Sequence, residues 1–458
     1  MTVEGAGERG NDQARKLSLE NLLRRCGCEG PPDGISQLAA RLARSRGTRA
    51  ADAVLRRLQV ALGHRRMSVG IYDHALHVVG GGQRYVATMA AQLQDRFEVT
   101  YVVNRPVEFD RLREWYGLDL SRCSLRTVPL PFYGRRQWID GALVTREMEN
   151  PFDAVARASA DYDVFVNANM LEKVRPLAPL SLFVCHFPDV MPRAYFAAHE
   201  YTLLIANSRY TSSWLRRRWG LEASMLLYPP VDVTGHPVAK DSVILSVARF
   251  EPGGSKKQCE MIAAFVALKR AFPDLLAEWR LVLVGGTLGT NAYLDRVRRD
   301  ASRYPAWIDV RVNVPLAEVR ECYARASIFW HACGVGELDP QLIEHFGMTT
   351  VEAMQNGCVP VVFDGGGQRE IVTDGVDGFR FPALDVLCAR TVSLLRNEAL
   401  RESMRERARQ SSSRFARTVF ESRVRRLFDM LHREYAAIEL ECIREATAGT
   451  VGSSTAPR

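Results

Sequence analysis

The sequence predicts an α/β chain built from two doubly wound parallel-sheet domains, and three observations predict it. From Met67 onward, short β-branched or aromatic runs alternate with amphipathic helical stretches, the pattern of a parallel sheet covered on both faces. The alternation breaks once, at Tyr228-Pro229-Pro230-Val231-Asp232 and Gly235-His236-Pro237, and then resumes. With 458 residues, 47% hydrophobic and 25% charged, the chain has the composition of a globular protein and room for two or three domains.

Taken in order, residues 1–66 combine a Gly-rich start with two Arg-rich helical patterns, Leu17–Arg25 and Ile35–Leu62, separated by the breaker Gly30-Pro31-Pro32-Asp33-Gly34. They read as an appended helical extension. Residues 67–234 form the first domain, with strands Ser68–Tyr72, Val99–Val103, Val164–Asn167 and Ser181–Cys185, a helix Gln83–Gln94 and a basic helix Ser213–Trp219. Residues 235–420 form the second, with strands Val243–Val247, Arg280–Val284, Ile308–Val312, Ile328–His331, Val359–Phe363 and Gly378–Phe381 and a helix Met261–Arg270. A hinge is expected near 230–240. A helical tail from Leu400 to Leu440 is long enough to return to the first domain, so residues 421–458 read as a returning helix whose end, from Thr447, frays.

Several function classes are excluded at this level. The net charge of +8 is diffuse and forms no basic block interleaved with aromatics, which argues against nucleic acid as a partner. No apolar run approaches the roughly 20 residues that span a bilayer, so a cytoplasmic protein at most peripheral to a membrane is expected. The ten cysteines include no CxxC pair and read as small buried hydrophobes of a reducing compartment. No acidic pair is placed to hold a metal, and none is expected. The first strand is not followed by GxGxxG, nor the second by a ribose-binding acid, which argues against a nicotinamide dehydrogenase.

In doubly wound sheets ligands sit at the carboxyl ends of strands. After the first strand comes Val78-Val79-Gly80-Gly81-Gly82-Gln83, where glycines admit close approach of a phosphate or a sugar and a helix N-terminus favours negative charge. The second domain opens with Ser246-Val247-Ala248-Arg249-Phe250 and, after Gly253-Gly254-Ser255, Lys256-Lys257-Gln258. Arg249 and Lys256 are expected to converge where a diphosphate is neutralised. Only six of the 61 basic residues are lysines, so an adjacent lysine pair points to a role that arginine fills poorly. The segment Glu344-His345-Phe346-Gly347-Met348-Thr349-Thr350-Val351-Glu352 places two carboxylates about 12 Å apart if helical throughout, a span suited to the two ends of a nucleotide sugar.

These pieces, together with His186-Phe187-Pro188, Ala206-Asn207-Ser208, Val284-Gly285-Gly286 and Gly366-Gly367-Gln368-Arg369-Glu370, stand in an order that resembles the retaining family 4 glycosyltransferases over residues 67–430. The Gly-Gly-Gly start and His-Phe-Pro are also similar to the mannosyltransferases that extend lipid-linked oligosaccharides. The resemblance implies the GT-B fold, two Rossmann-like domains facing a cleft. It further implies that Arg249 and Lys256 bind the donor diphosphate, with Lys257 as the alternative lysine, that Glu344 contacts the donor sugar and that Glu352 holds the ribose hydroxyls. Gly81 and Gly82 would lie beside the diphosphate and acceptor, His186 near the sugar, and Phe346, Gly347, Met348 and Thr349 around the nucleotide phosphates.

The expected reaction moves a hexose, of mannose or glucose type, from a nucleoside-diphosphate sugar to a hydroxyl of a glycan or glycolipid, with no cofactor beyond the donor itself. The alternative is a non-catalytic nucleotide-sugar-binding protein of the same fold.

Overall fold

A computed structural model describes residues 63–451 except 78–79, 131–149, 151, 169–171, 192–194, 233–237, 288 and 290, together with residues 56, 59 and 60; side chains are described to residue 436. The helical patterns expected over Leu17–Arg25 and most of Ile35–Leu62 lie outside the described residues.

The first lobe is a seven-stranded parallel sheet. Its strands are β1 (Ser68–Tyr72), β2 (Glu98–Val103), β3 (Ser124–Thr127), β4 (Val164–Asn167), β5 (Leu180–Cys185), β6 (Leu203–Ala206) and β7 (Met225–Leu226), in spatial order β3-β2-β1-β4-β5-β6-β7. Helices α1 (Gly81–Leu93), α2 (Phe109–Tyr116), α3 (Asp153–Ser159) and α4 (Arg209–Trp219) accompany it. The central strands are buried along their whole length, β1, β4 and β5 at every position, which is why they read as continuous apolar runs. β3 escapes the sequence reading because Ser124-Leu125-Arg126-Thr127 is a largely exposed edge with no apolar run to betray it. α4 begins at Arg209, four residues before the expected start, because Ser208 caps it by accepting the Thr211 N–H.

The second lobe is a six-stranded parallel sheet of β8 (Asp241–Val247), β9 (Arg280–Gly285), β10 (Ile308–Val312), β11 (Ala326–His331), β12 (Val359–Phe363) and β13 (Phe379–Phe381), ordered β10-β9-β8-β11-β12-β13. Helices α5 (Gln258–Ala271), α6 (Ala292–Ser302), α7 (Leu316–Arg325), α8 (Met348–Gln355), α9 (Gln368–Ile371), α10 (Leu384–Arg396) and α11 (Glu398–Ser412) surround it.

The chain crosses between lobes twice, and the two crossings touch. Val231 N–H donates to the Phe415 carbonyl at 3.2 Å, and Arg417 N–H to the Val231 carbonyl at 2.8 Å. The expected single helical tail is therefore broken at residues 413–416, where this bridge forms, and resumes as α12 (Arg417–Val451). α12 continues through Thr447, where fraying is expected, to Val451. It docks on the first lobe: Phe420, Val424, Leu427, Phe428, Leu431 and Tyr435 join that lobe's core, and Tyr435 Oη donates to Asp163 Oδ1 at 2.9 Å. No helix among the described residues is long and apolar enough to cross a membrane.

Phe428 is fully buried, edge-on to Phe97 at 5.6 Å. Phe428→Ala is expected to destabilise the protein by about 3–5 kcal/mol, the usual cost of emptying an aromatic core site. Denaturant unfolding measures it; a loss below about 1 kcal/mol would mean that α12 does not close the first lobe's core.

Candidate active site

Three turns at the carboxyl ends of strands meet where the lobes face each other. The first leads into α1. Tyr116 Oη accepts the Gly80 N–H at 3.0 Å and donates to the Gly80 carbonyl at 3.1 Å, clamping the turn. A Cβ on Gly81 would lie 2.8 Å from Met348 Sδ, at the start of α8 in the other lobe, and one on Gly82 would lie 3.5 Å from His186 Nε2. Gly81 thus lets the first lobe approach the N-terminus of α8, while a Cβ on Gly82 would meet the His186 ring at ordinary contact distance.

The second turn follows β8. Gly254 has φ +68° and a Cβ there would fall 2.3 Å from the Tyr293 ring, so the tight turn admits only glycine. Lys257 caps α5 in the left-handed region, φ 59°. The turn sends two adjacent ammonium groups to two carboxylates: Lys256 Nζ donates to Glu344 Oε2 at 3.0 Å, and Lys257 pairs with Glu337. Of the two candidate lysines, Lys256 is the one beside Glu344. Arg249 does not converge on that pair. Its guanidinium, 63% exposed, turns to the nearest acceptor along the chain, Glu251 Oε1 at 2.6 Å.

The third turn joins β11 to α8. His331, the last residue of β11 and 3% exposed, brings Nε2 to 3.2 Å from Glu344 Oε2. The Glu344 carbonyl accepts the Gly367 N–H at 2.8 Å, and Cβ atoms on Gly366 or Gly367 would lie 2.1 Å from the Glu344 carbonyl oxygen and 2.4 Å from Phe346 Cα. The Gly366-Gly367 turn therefore acts as a backplate for the glutamate. Helix begins only at Met348, so the straight-helix spacing expected between Glu344 and Glu352 does not apply. No side chain caps α8, whose N-cap Gly347 has φ +116°. Met348 and Thr349, both half-buried, open its first turn. Phe346 faces elsewhere, buried against Tyr228 and Phe415 beside the crossing. Glu352 lies one turn further on, accepting from Arg84 Nη1 at 2.7 Å and Tyr323 Oη at 2.9 Å.

His186 packs edge-on to Tyr85 at 5.5 Å, with Nε2 at 3.1 Å from the Ala168 carbonyl and Nδ1 at 3.5 Å from Asn207 Nδ2. A carbonyl partner requires the proton on Nε2, leaving Nδ1 as acceptor. Beside it Phe187 stacks on His345 of the second lobe, centroids 4.1 Å apart.

Burial disfavours every charge here, and partners decide the outcome. For Glu344, burial pushes the carboxyl up, but Lys256 and then His331 outweigh it and hold it well below the usual range. For Lys256, burial pushes down, and Glu344, Cys333 and Glu251 together raise it above the ordinary lysine value. The site therefore carries a fixed ion pair. His186 has only the Ala168 carbonyl against its burial and is pushed down to about 4, so it is neutral near pH 7. Burial also pushes His345 and His74 down to about 4.

The sequence reading missed His331, Glu337 as a lysine partner, Tyr323 and Arg84. His331 closes a strand, so the strand-end rule alone points to it. Arg84 lies 268 residues from its partner Glu352, and no local pattern signals such a pair.

Residues 235–411 match the Glycosyl transferases group 1 family. The Xenopus laevis GDP-Man:Man(3)GlcNAc(2)-PP-Dol alpha-1,2-mannosyltransferase is 26% identical over 237 residues, 48% of this chain and 47% of that protein. The Homo sapiens alpha-1,3/1,6-mannosyltransferase ALG2 is 25% identical over 309 residues, 58% of this chain and 67% of its own length. The chain spans about half the length of the first of the curated relatives it matches. Among solved structures, Anabaena Alr3699/HepE in complex with UDP superposes with a TM-score of 0.59 at 16% identity, covering 80% of this chain and all of that one. Sucrose-phosphate synthase from Thermosynechococcus elongatus gives 0.60 at 15%, covering 81% of this chain and all of its own. The fold is GT-B, and the match to the Glycosyl transferases group 1 family falls in its second lobe.

Three histidines make stability pH-dependent with a definite sign. His74, His186 and His345 have folded values near 4, below their unfolded 6.5, so the unfolded chain binds more protons between those values and stability falls as pH drops through that window. Glu344 adds its loss only below about 4.5, its unfolded value. Between pH 7 and pH 5 each histidine should cost about 1–2 kcal/mol, read as a lower urea midpoint, and His186→Gln should remove its share. An equal midpoint at both pH values would contradict the buried-neutral assignment.

Proposed function

We propose that this chain, GT-B in fold and with a glycosyl transferases group 1 second lobe, transfers a hexose from a nucleoside-diphosphate sugar to an acceptor hydroxyl with retention of anomeric configuration. One observation carries the reading: the Lys256–Glu344–His331 cluster sits at the carboxyl ends of β8 and β11, beside the uncapped N-terminus of α8, with Gly81 of the other lobe laid over Met348. That arrangement suits a dianionic leaving group next to a sugar.

In this reading the α8 N–H groups and the Lys256 ammonium receive the diphosphate, and the exposed Arg249 guanidinium, tethered by Glu251, swings in as the second cation. As the bond to the anomeric carbon breaks, negative charge grows on the leaving oxygen, and these cations and dipoles stabilise it without a resident metal. Glu344, kept ionised by Lys256 and His331 and held at its backbone carbonyl by the Gly367 N–H, accepts hydrogen bonds from hexose hydroxyls, and Glu352 from the ribose. Retention fits a front-face route in which the leaving phosphate takes the acceptor proton. His186, neutral and walled by Gly82, lines the sugar's other side. Closure of the lobes about the Val231–Ala416 crossing excludes water from the donor. The names of the two mannosyltransferases support mannose as the hexose, and the PP-Dol of the first supports a glycolipid as acceptor; in this reading the chain meets that acceptor by peripheral contact at the cytoplasmic face of a membrane.

Purified protein is screened with GDP- and UDP-sugars for binding, slow donor hydrolysis and transfer. One donor is expected to bind and turn over, and Glu344→Gln and Lys256→Ala are each expected to lower turnover by about 100-fold or more, since each removes a charged group acting on the transition state. Binding without turnover would instead support the non-catalytic nucleotide-sugar-binding reading, and no binding to any donor would remove both.

A further inference from the structure

The second glutamate of the site is gripped from the opposite lobe. Glu352 Oε1 accepts from Arg84 Nη1 at 2.7 Å, and Oε2 accepts from Tyr323 Oη at 2.9 Å. The other arm of the same guanidinium, Nη2, lies 2.5 Å from Asp232 Oδ2, and Asp232 Oδ1 is 3.5 Å from Arg417 Nη1. One side chain on α1 thus ties the first lobe to the crossing segment and to α8. The three side chains are 15%, 18% and 19% exposed, so this is no solvated surface pair.

Each carboxylate oxygen has room for about two hydrogen bonds. Arg84 and Tyr323 occupy one position on each, from different directions, which fixes the plane of the carboxylate and leaves one acceptor position per oxygen. Two neighbouring open acceptors match the two hydroxyls of a vicinal diol. A lysine in place of Arg84 carries the charge but lacks the planar fork that reaches two carboxylates at once.

We propose that Arg84 is a positioning residue for nucleoside recognition: it sets the Glu352 carboxylate to receive both ribose hydroxyls of the donor, and, because it belongs to the other lobe, completes that recognition only when the lobes are together. The inference rests on the reading of Glu352 as the ribose-binding acid given above. Arg84 acts through Glu352 and does not itself touch the diol.

The test compares affinities of the full chain for UDP and GDP with those for dUDP and dGDP, in the unsubstituted protein and in Glu352→Gln, Arg84→Gln and Arg84→Lys, each checked for a cooperative thermal transition. The unsubstituted protein should prefer the ribonucleotide. Glu352→Gln and both Arg84 variants should weaken ribonucleotide binding by about tenfold, with little change for the deoxynucleotide, so that the preference collapses. A merely structural role would lower both affinities together and keep their ratio. Arg84→Lys keeps a cation between Asp232 and Glu352 and so decides the matter if Arg84→Gln does not fold. A preference lost in Glu352→Gln but intact in the Arg84 variants overturns the role of Arg84 and leaves Glu352 in place. Tighter ribonucleotide binding by either Arg84 variant also overturns it, since Arg84 would then compete with the ribose. A preference that is absent from the start, or unmoved by Glu352→Gln, removes the ribose reading itself and this proposal with it.

Discussion

A lysine ammonium 3.0 Å from a glutamate carboxylate, with a histidine nitrogen 3.2 Å from the same oxygen, is the contact around which the rest of this structure is arranged. Both charged side chains are less than one-fifth exposed, and burial works against each. Such a pair is weak evidence for stability, because desolvation offsets most of the Coulomb gain. It persists only where further hydrogen bonds and backbone geometry hold it. Here the β8 turn, the β11 end and the Gly366-Gly367 turn each contribute one element of that support. Three parallel-sheet loops deliver their functional atoms to one point, and the energetic cost of assembling them argues that the point is used.

The second constraint is that the cleft is built from both lobes. Besides Arg84 and Glu352, Ser208 Oγ donates to the His345 carbonyl at 2.7 Å, and Glu370 accepts the Arg209 and Tyr210 N–H groups at 2.9 and 2.8 Å, so a second-lobe carboxylate sits on the N-terminus of α4. Gln341 Nε2 donates to Asp189 Oδ1 at 2.8 Å. The seam is thus largely polar and hydrogen-bonded, with the Phe187–His345 stack as a small apolar element. Polar seams of this kind separate more readily than a core, and the paired crossings at Val231 and Ala416 are where the axis of the proposed closure would lie. The broken helix between α11 and α12 has its physical reason here: the chain leaves helical geometry to make that bridge.

Most of the fold was legible because buried parallel strands leave an apolar signature, as in Val164–Asn167 and Leu180–Cys185, every residue of which is buried, although the short apolar strand Leu203–Ala206 was not read. Edge strands such as Ser124–Thr127 lack it, and α4's start was misplaced because a single capping serine outweighed the apolar pattern. The candidate site was legible where chemistry is local in sequence: adjacent Lys256 and Lys257, glycines that permit close approach, a glutamate just before a helix. It was not legible where direction matters. Nothing in the sequence told that Arg249 turns outward to Glu251, that Phe346 serves the crossing rather than the cleft, or that Arg84 reaches Glu352.

The lysines show how composition became structural information. Among the five described lysines, four are anchored at specific acceptors: Lys256 and Lys257 at Glu344 and Glu337, Lys240 at the Tyr323 and Asn356 carbonyls, and Lys269 at the Leu276 and Ala277 carbonyls. These are places where a compact three-donor ammonium fits between converging oxygens and a planar guanidinium does not. Arginine, by contrast, takes exposed faces, as Arg216 and Arg249 do, and also the half-buried position where its fork spans the Asp232 and Glu352 carboxylates, Arg84. A chain that uses arginine almost everywhere thus keeps lysine where geometry forbids the exchange. By the same reasoning Arg84 is the converse case: its identity, rather than its charge, is what the Asp232 and Glu352 carboxylates require.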